Sequence, residues 1–132
     1  MREVIFRGQD VASNKWIYGD LRHKGDKLVI FHTDKNLGEE VKPNTVGQFT
    51  GFLDRSGKQI WEGDILRVWF DDKQFFVAVV VWHEGHAAFL LDEGDKCYSP
   101  MIGNCTEVVG NVHEQNKDDL RSINHGETMG IN

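Results

Sequence analysis

The sequence predicts an all-β protein, a small antiparallel barrel or sandwich, and three observations predict it. Glycine is the main punctuation, with 14 Gly against 2 Pro in 132 residues, which suits tight turns between short strands. β-Branched and aromatic residues gather in short runs separated by polar corners. The longest apolar run, Phe75 to Trp82, is apolar on both faces when read as a strand, so it needs cover on both sides.

Each element follows in order. Val4-Ile5-Phe6, Trp16-Ile17-Tyr18 and Leu28-Val29-Ile30-Phe31 read as three strands, separated by Gly8-Gln9-Asp10 and by Arg22-His23-Lys24-Gly25-Asp26-Lys27. Thr33 to Pro43, with Gly38, Glu39 and Glu40, reads as a surface loop. Val46 to Phe52 alternates apolar with small or polar residues, and Asp54-Arg55-Ser56-Gly57 is a turn signature before Ile60-Trp61, which predicts a hairpin. Glu62-Gly63-Asp64 makes a second corner, and the strand from Ile65 to Phe70 puts Leu66, Val68 and Phe70 on one face.

Asp71-Asp72-Lys73 turns the chain into Gln74 to His83. That strand sets Phe75, Val77, Val79 and Val81 against Phe76, Ala78, Val80 and Trp82. Glu84-Gly85 leads to a returning strand, Ala87 to Leu91, and after a Gly/Ser/Pro/Cys-rich loop from Asp92 to Asn104 the segment Val108 to Val112 closes the meander. Asn116 can cap a short helical turn through Leu120, and a polar tail occupies 113–132. One β domain is expected over 1–112, with an N-terminal lobe over about 1–45.

The bulk numbers narrow the classes of function. Fifteen Lys+Arg against 21 Asp+Glu give a net charge of -6, which disfavours a nucleic-acid binder, since phosphate neutralisation needs positive charge. No apolar run approaches the ~20 residues a spanning helix needs, so no membrane partner is expected. The apolar patch after Arg2 and Glu3 is too short for a secretory signal, and a bacterial cytoplasmic location is expected. Cys97 and Cys105 are then two free thiols by default.

Three blocks carry a family resemblance: Trp16-Ile17-Tyr18-Gly19-Asp20-Leu21; Thr45-Val46-Gly47-Gln48-Phe49-Thr50-Gly51-Phe52-Leu53-Asp54, continuing through Gly57 to Glu62-Gly63-Asp64-Ile65; and Val109-Gly110-Asn111-Val112-His113-Glu114. On these blocks the sequence resembles the YopX family, small proteins encoded mainly by phages and prophages, over about Glu3 to Leu120. The resemblance implies an all-β fold with an SH3-like barrel portion over about 46–112, and it brings no catalytic residues to carry over. The family-motif residues are Trp16, Tyr18, Gly19, Thr45, Gly47, Gln48, Gly51, Asp54, Gly57, Glu62, Gly63, Asp64, Gly110 and Asn111, read as structural. Trp61 stands where the family usually has Tyr.

Several local patterns suggest chemistry and are better explained by turns. Gly51 to Lys58 is superficially similar to a phosphate-binding loop, but the glycine spacing is too long and Gln59 stands where a magnesium-holding hydroxyl belongs. His83-Glu84-Gly85-His86 is similar to a zinc-protease helix only in composition, because its histidines are three apart around a glycine. A mixed zinc site from Cys97, Cys105 and one of His83, His86 or His113 lacks a CxxC pair. Asp54, Glu62 and Asp64 could serve acid/base or metal chemistry, yet Asp in a turn accepts hydrogen bonds from nearby backbone N–H groups. No cofactor, metal or catalytic residue is therefore assigned.

The leading expectation is a non-enzymatic accessory or interaction module acting through protein–protein contacts, either with another phage or host protein or with itself as a homo-oligomer. An alternative is nucleic-acid binding through an SH3- or OB-like surface, using Arg22, Lys24 and Lys27 with an exposed aromatic such as Trp69. A second alternative is a metal-assisted hydrolase built on Asp54, Glu62, Asp64 or the histidines. Of the tryptophans, Trp16 and Trp69, with Tyr18, are expected to be partly exposed.

Overall fold

A computed structural model describes residues 3–33, 35, 37–94, 97–98 and 105–114. The chain divides into two units, residues 1–51 and 52–132. The all-β expectation holds: the described residues form two antiparallel sheets, with 3-10 turns at Pro43–Thr45 and Glu84–His86.

The first unit is a meander of β1 (Phe6–Gln9), β2 (Trp16–Lys24), β3 (Lys27–His32) and β4 (Gly38–Val41). β5 (Gly47–Leu53) lies against the other side of β1, with Phe6 opposite Gln48 and Arg7 opposite Gly47. Alternation sorts the side chains. Leu21, Leu28, Ile30 and Val41 turn inward with Ile17, Phe6 and Val46, and Ile30 and Val41 are fully buried. The opposite face of β2 and β3 carries Arg22, Lys24, Lys27, Val29 and Phe31, since Arg22 pairs with Val29 and Lys24 with Lys27.

Two expectations are corrected here. The segment read as a loop from Thr33 to Pro43 contains β4, which pairs Leu28 with Val41 and Phe31 with Gly38. Gly and Glu are poor strand formers, but Gly38 lets the Phe31 ring lie close, and a Cβ there would stand 2.8 Å from Phe31 Cζ. The first strand is also displaced. Gly8 and Gln9, read as a separator, are within β1, where a Cβ on Gly8 would lie 3.0 Å from Val41 Cβ and 3.3 Å from Ile30 Cδ1. The glycine marks close packing rather than a turn.

β4 also meets the far end of β1. Asp10 bridges Val41, Lys42 N donates to Gln9 O at 2.8 Å, and Val11 N donates to Glu40 O at 3.2 Å. Thr45 secures the following turn, its Oγ1 accepting from Gln9 N at 2.9 Å and donating to Lys42 O at 2.7 Å.

In the second unit, β6 (Gln59–Trp61) returns beside the end of β5 as the expected hairpin. β7 (Asp64–Trp69), β8 (Phe75–His83) and β9 (Ala88–Asp92) then form the expected meander. β10 (Cys97–Tyr98) pairs with β9, so the stretch read as continuous loop from Asp92 holds a short strand. β11 (Thr106–Asn111) pairs with β7, with a register shift between Val108 and Gly110. The order β10-β9-β8-β7-β11 has two edges, so this sheet is open rather than a closed barrel among the described residues. Leu66, Ala78, Val80, Leu91 and Ile60 form its core, with Val68, Phe76, Phe89 and Val108 packed against them. Leu66 and Val68 share the face expected of them; Phe70 lies beyond the strand and is exposed. The capped turn from Asn116 to Leu120 and the tail beyond it lie outside the described residues.

Candidate functional site

The longest motif block folds into a hydrogen-bonded hub. Asp54 follows β5, and its own N–H donates to Lys58 O at 2.7 Å, closing the turn to β6, while Gly57 takes the positive φ of +86 that the turn needs. Asp54 Oδ1 accepts from Ser56 N at 2.8 Å and from Lys58 N at 2.9 Å. Its Oδ2 reaches across the unit to accept from Val108 N at 2.9 Å, and Arg55 N donates to Thr106 O at 2.9 Å. Asp54 is 7% exposed. Burial works to raise its pKa, but the N–H donors of Val108, Lys58 and Ser56 and the Lys58 charge outweigh that and hold it below the ordinary carboxylate value.

The neighbouring corner uses the same device. Asp64 is 2% exposed, and its Oδ2 accepts from Trp61 N at 2.8 Å across Glu62 and Gly63. Gly63, at φ +92, donates to Val80 O at 2.8 Å and accepts from Val112 N at 2.9 Å. Asn111 stands opposite Asp64 in the ladder, and its Oδ1 accepts from His113 N at 2.9 Å. Two motif blocks far apart in sequence are thus one structural knot, in which oxygens of Asp54 and Asp64 serve backbone N–H groups.

Of the other motif residues, Trp16, Tyr18, Gly19, Thr45, Gly47, Gln48 and Gly51 lie in the first unit, and Glu62 and Gly110 in the second. Gly19 sits so close to β3 that a Cβ would lie 1.8 Å from Phe31 O. Trp16 is half-buried under the Arg7 guanidinium, 4.4 Å from its ring centre, and Tyr18 is exposed. Gly47 and Gln48 pair with β1, Gly51 takes φ +90 in open space, and Gly110 follows the irregularity in β11.

The residues expected to form a binding surface are split. Arg22, Lys24 and Lys27 share one face of the β2–β3 hairpin, with the Arg22 guanidinium 4.2 Å from the centre of the Phe31 ring. Beside them is a cleft of about 590 Å³ lined by Lys24, Asp26, Lys27, Val29, Phe31, Gly38 and Glu40. Trp69 belongs to the second unit, half-buried, with Phe75 at 4.6 Å between ring centres and Arg55 at 5.4 Å from its ring.

Comparison with known families gives a match to the model described as YopX protein over residues 5–117. The chain belongs to the YopX family. The matched span contains the Asp54 turn, the Glu62-Gly63-Asp64 corner and the β2–β3 hairpin. A comparison with curated proteins gave no match.

Sequence reasoning missed the most exposed tryptophan of this YopX-family chain. Trp82 ends the apolar run on β8 and stands against Phe89 at 5.1 Å between ring centres, yet it is exposed. Its position at the last turn of the ladder, beside the polar His83-Glu84-Gly85-His86 corner, was the available signal. In that corner the His83 and His86 Nδ1 atoms lie 2.9 Å apart, and His83 Nδ1 also accepts from His86 N at 3.2 Å. Among the described residues no group of three or more His, Cys, Asp or Glu is placed to hold a metal ion. Among them, too, no helix is long and apolar enough to cross a membrane.

Proposed function

We propose that this YopX-family protein is a non-enzymatic interaction module of phage type, working in the bacterial cytoplasm through protein–protein contacts that include contacts with copies of itself. Apolar exposure in the second unit carries the reading: Phe70 is 62% exposed, Leu53 50%, Trp82 45% and Phe52 42%. Two of these rings are already held by neighbours, Phe70 by Phe76 at 6.4 Å between centres and Trp82 by Phe89, so little side-chain freedom is lost when a partner covers them. Large aromatic anchors of this kind dominate the energetics of protein interfaces. The placement of Asp54 and Asp64 supports a non-catalytic role for the motif, because their oxygens hold backbone together.

Size-exclusion chromatography with light scattering tests the self-association. The expected result is a mass above the 15.1 kDa of one chain that falls toward it on dilution, and a shift toward the monomer on Trp82→Ser or Phe70→Ser. A strict monomer at high protein concentration removes the self-association.

A further inference from the structure

The hairpin face of the first unit holds an arrangement the fold does not require. Lys24 and Lys27 are directly opposite each other in the β2–β3 ladder, and like charges so placed destabilise a sheet. Arg22 adds a third positive charge two residues along the same face. Only part of this charge is answered. Lys27 Nζ lies 3.8 Å from Glu40 Oε1, with both side chains well exposed, while among the described residues the side chains of Arg22 and Lys24 have no ion pair or hydrogen bond. In the cleft lining Lys24 and Lys27 balance Asp26 and Glu40, so what marks the face is not a surplus of charge but two cations, Arg22 and Lys24, that no ion pair answers among the described residues. Neither Arg22 nor Asp20, its neighbour on the same face of β2, is among the lining residues.

The floor is apolar and built. Val29 is buried beneath the charged side chains, and Phe31 is fixed between the Arg22 guanidinium and the bare Cα of Gly38. The contact with Phe31 keeps the guanidinium at this face, and arginine can meet a phosphate there in two-pronged fashion. The cleft, about 590 Å³, lies within the size range of small-ligand sites.

We propose that this face binds a phosphorylated small molecule, its phosphate held by Arg22, Lys24 and Lys27 and its carbon body lying on Val29 and Phe31. Bound phosphate relieves the Lys24–Lys27 repulsion, so the cost of assembling the cations is recovered on binding.

Backbone amide NMR titration of the full chain at low salt tests it, with inorganic pyrophosphate, AMP and adenosine as probes. Pyrophosphate and AMP are expected to shift the amides of residues 22–29 and 38–40 saturably, and adenosine is not. Lys24→Ala weakens AMP by about fivefold or more, and Lys24→Gln, which keeps the aliphatic stem and so most of the fold, does the same. Lys73→Ala, on an exposed turn of the second unit, leaves it unchanged. The proposal is overturned by the absence of saturable shifts, by shifts centred elsewhere, or by adenosine binding as well as AMP. It is equally overturned if an oligothymidylate moves these amides while AMP and pyrophosphate do not, because the face then serves a polymer.

Discussion

Asp54 concentrates more of the second unit's architecture than any apolar residue of its size could. It fixes the β5–β6 turn through Ser56 and Lys58 and ties that turn to β11 through Val108. Because its folded pKa is lowered, the stabilisation is complete above the unfolded carboxylate value of 3.8 and is lost as pH falls through the folded value. Asp54→Asn should therefore cost about 3 kcal/mol at neutral pH, since charge-assisted bonds are weakened and one amide N–H₂ faces donors. It should also flatten the acid limb of a stability-versus-pH curve, measured by urea unfolding from pH 7 downward. An unchanged acid limb would show that the carboxylate is not the group being titrated.

At the scale of elements, Gly19 and Gly57 separate two uses of glycine. A methyl group on Gly19 meets the Phe31 carbonyl, which cannot move without opening the β2–β3 ladder, so Gly19→Ala should cost about 4 kcal/mol or prevent folding. Gly57 has open space and only a positive φ, so Gly57→Ala should cost about 1 kcal/mol. Thermal unfolding of the two variants checks the order. The same contrast explains what was legible in the sequence. β7 and β8 could be read because their alternation is long and their corners are polar, and the Asp54 turn because its chemistry is local. Its reach to Val108 is not local and left no mark. β4 was hidden because Gly38, Glu39 and Glu40 lack strand propensity; what places them is Phe31 leaning on Gly38 and Val41 entering the core. The candidate phosphate face was half visible for that reason: Arg22, Lys24 and Lys27 could be picked out, while Gly38 and Glu40, from the missed strand, could not.

For the whole molecule, net charge sets the conditions under which copies meet. A chain carrying -6 repels its own copies, and salt screens that repulsion while leaving apolar contact intact. The proposed association through Phe70 and Trp82 should therefore strengthen as ionic strength rises, seen as a larger light-scattering mass at the same protein concentration; weakening with salt would point to a charged interface instead. The junction of β4 with the end of β1 carries a different consequence. A strand that begins or ends a sheet is the usual template for runaway stacking of chains, and here Glu40 O and Lys42 N are already engaged by Val11 N and Gln9 O. The end of β4 therefore offers an incoming strand no ladder to copy, and the Val11 and Lys42 amides should be among the slower to trade their hydrogens for deuterium, even though their side chains face water or lie near it.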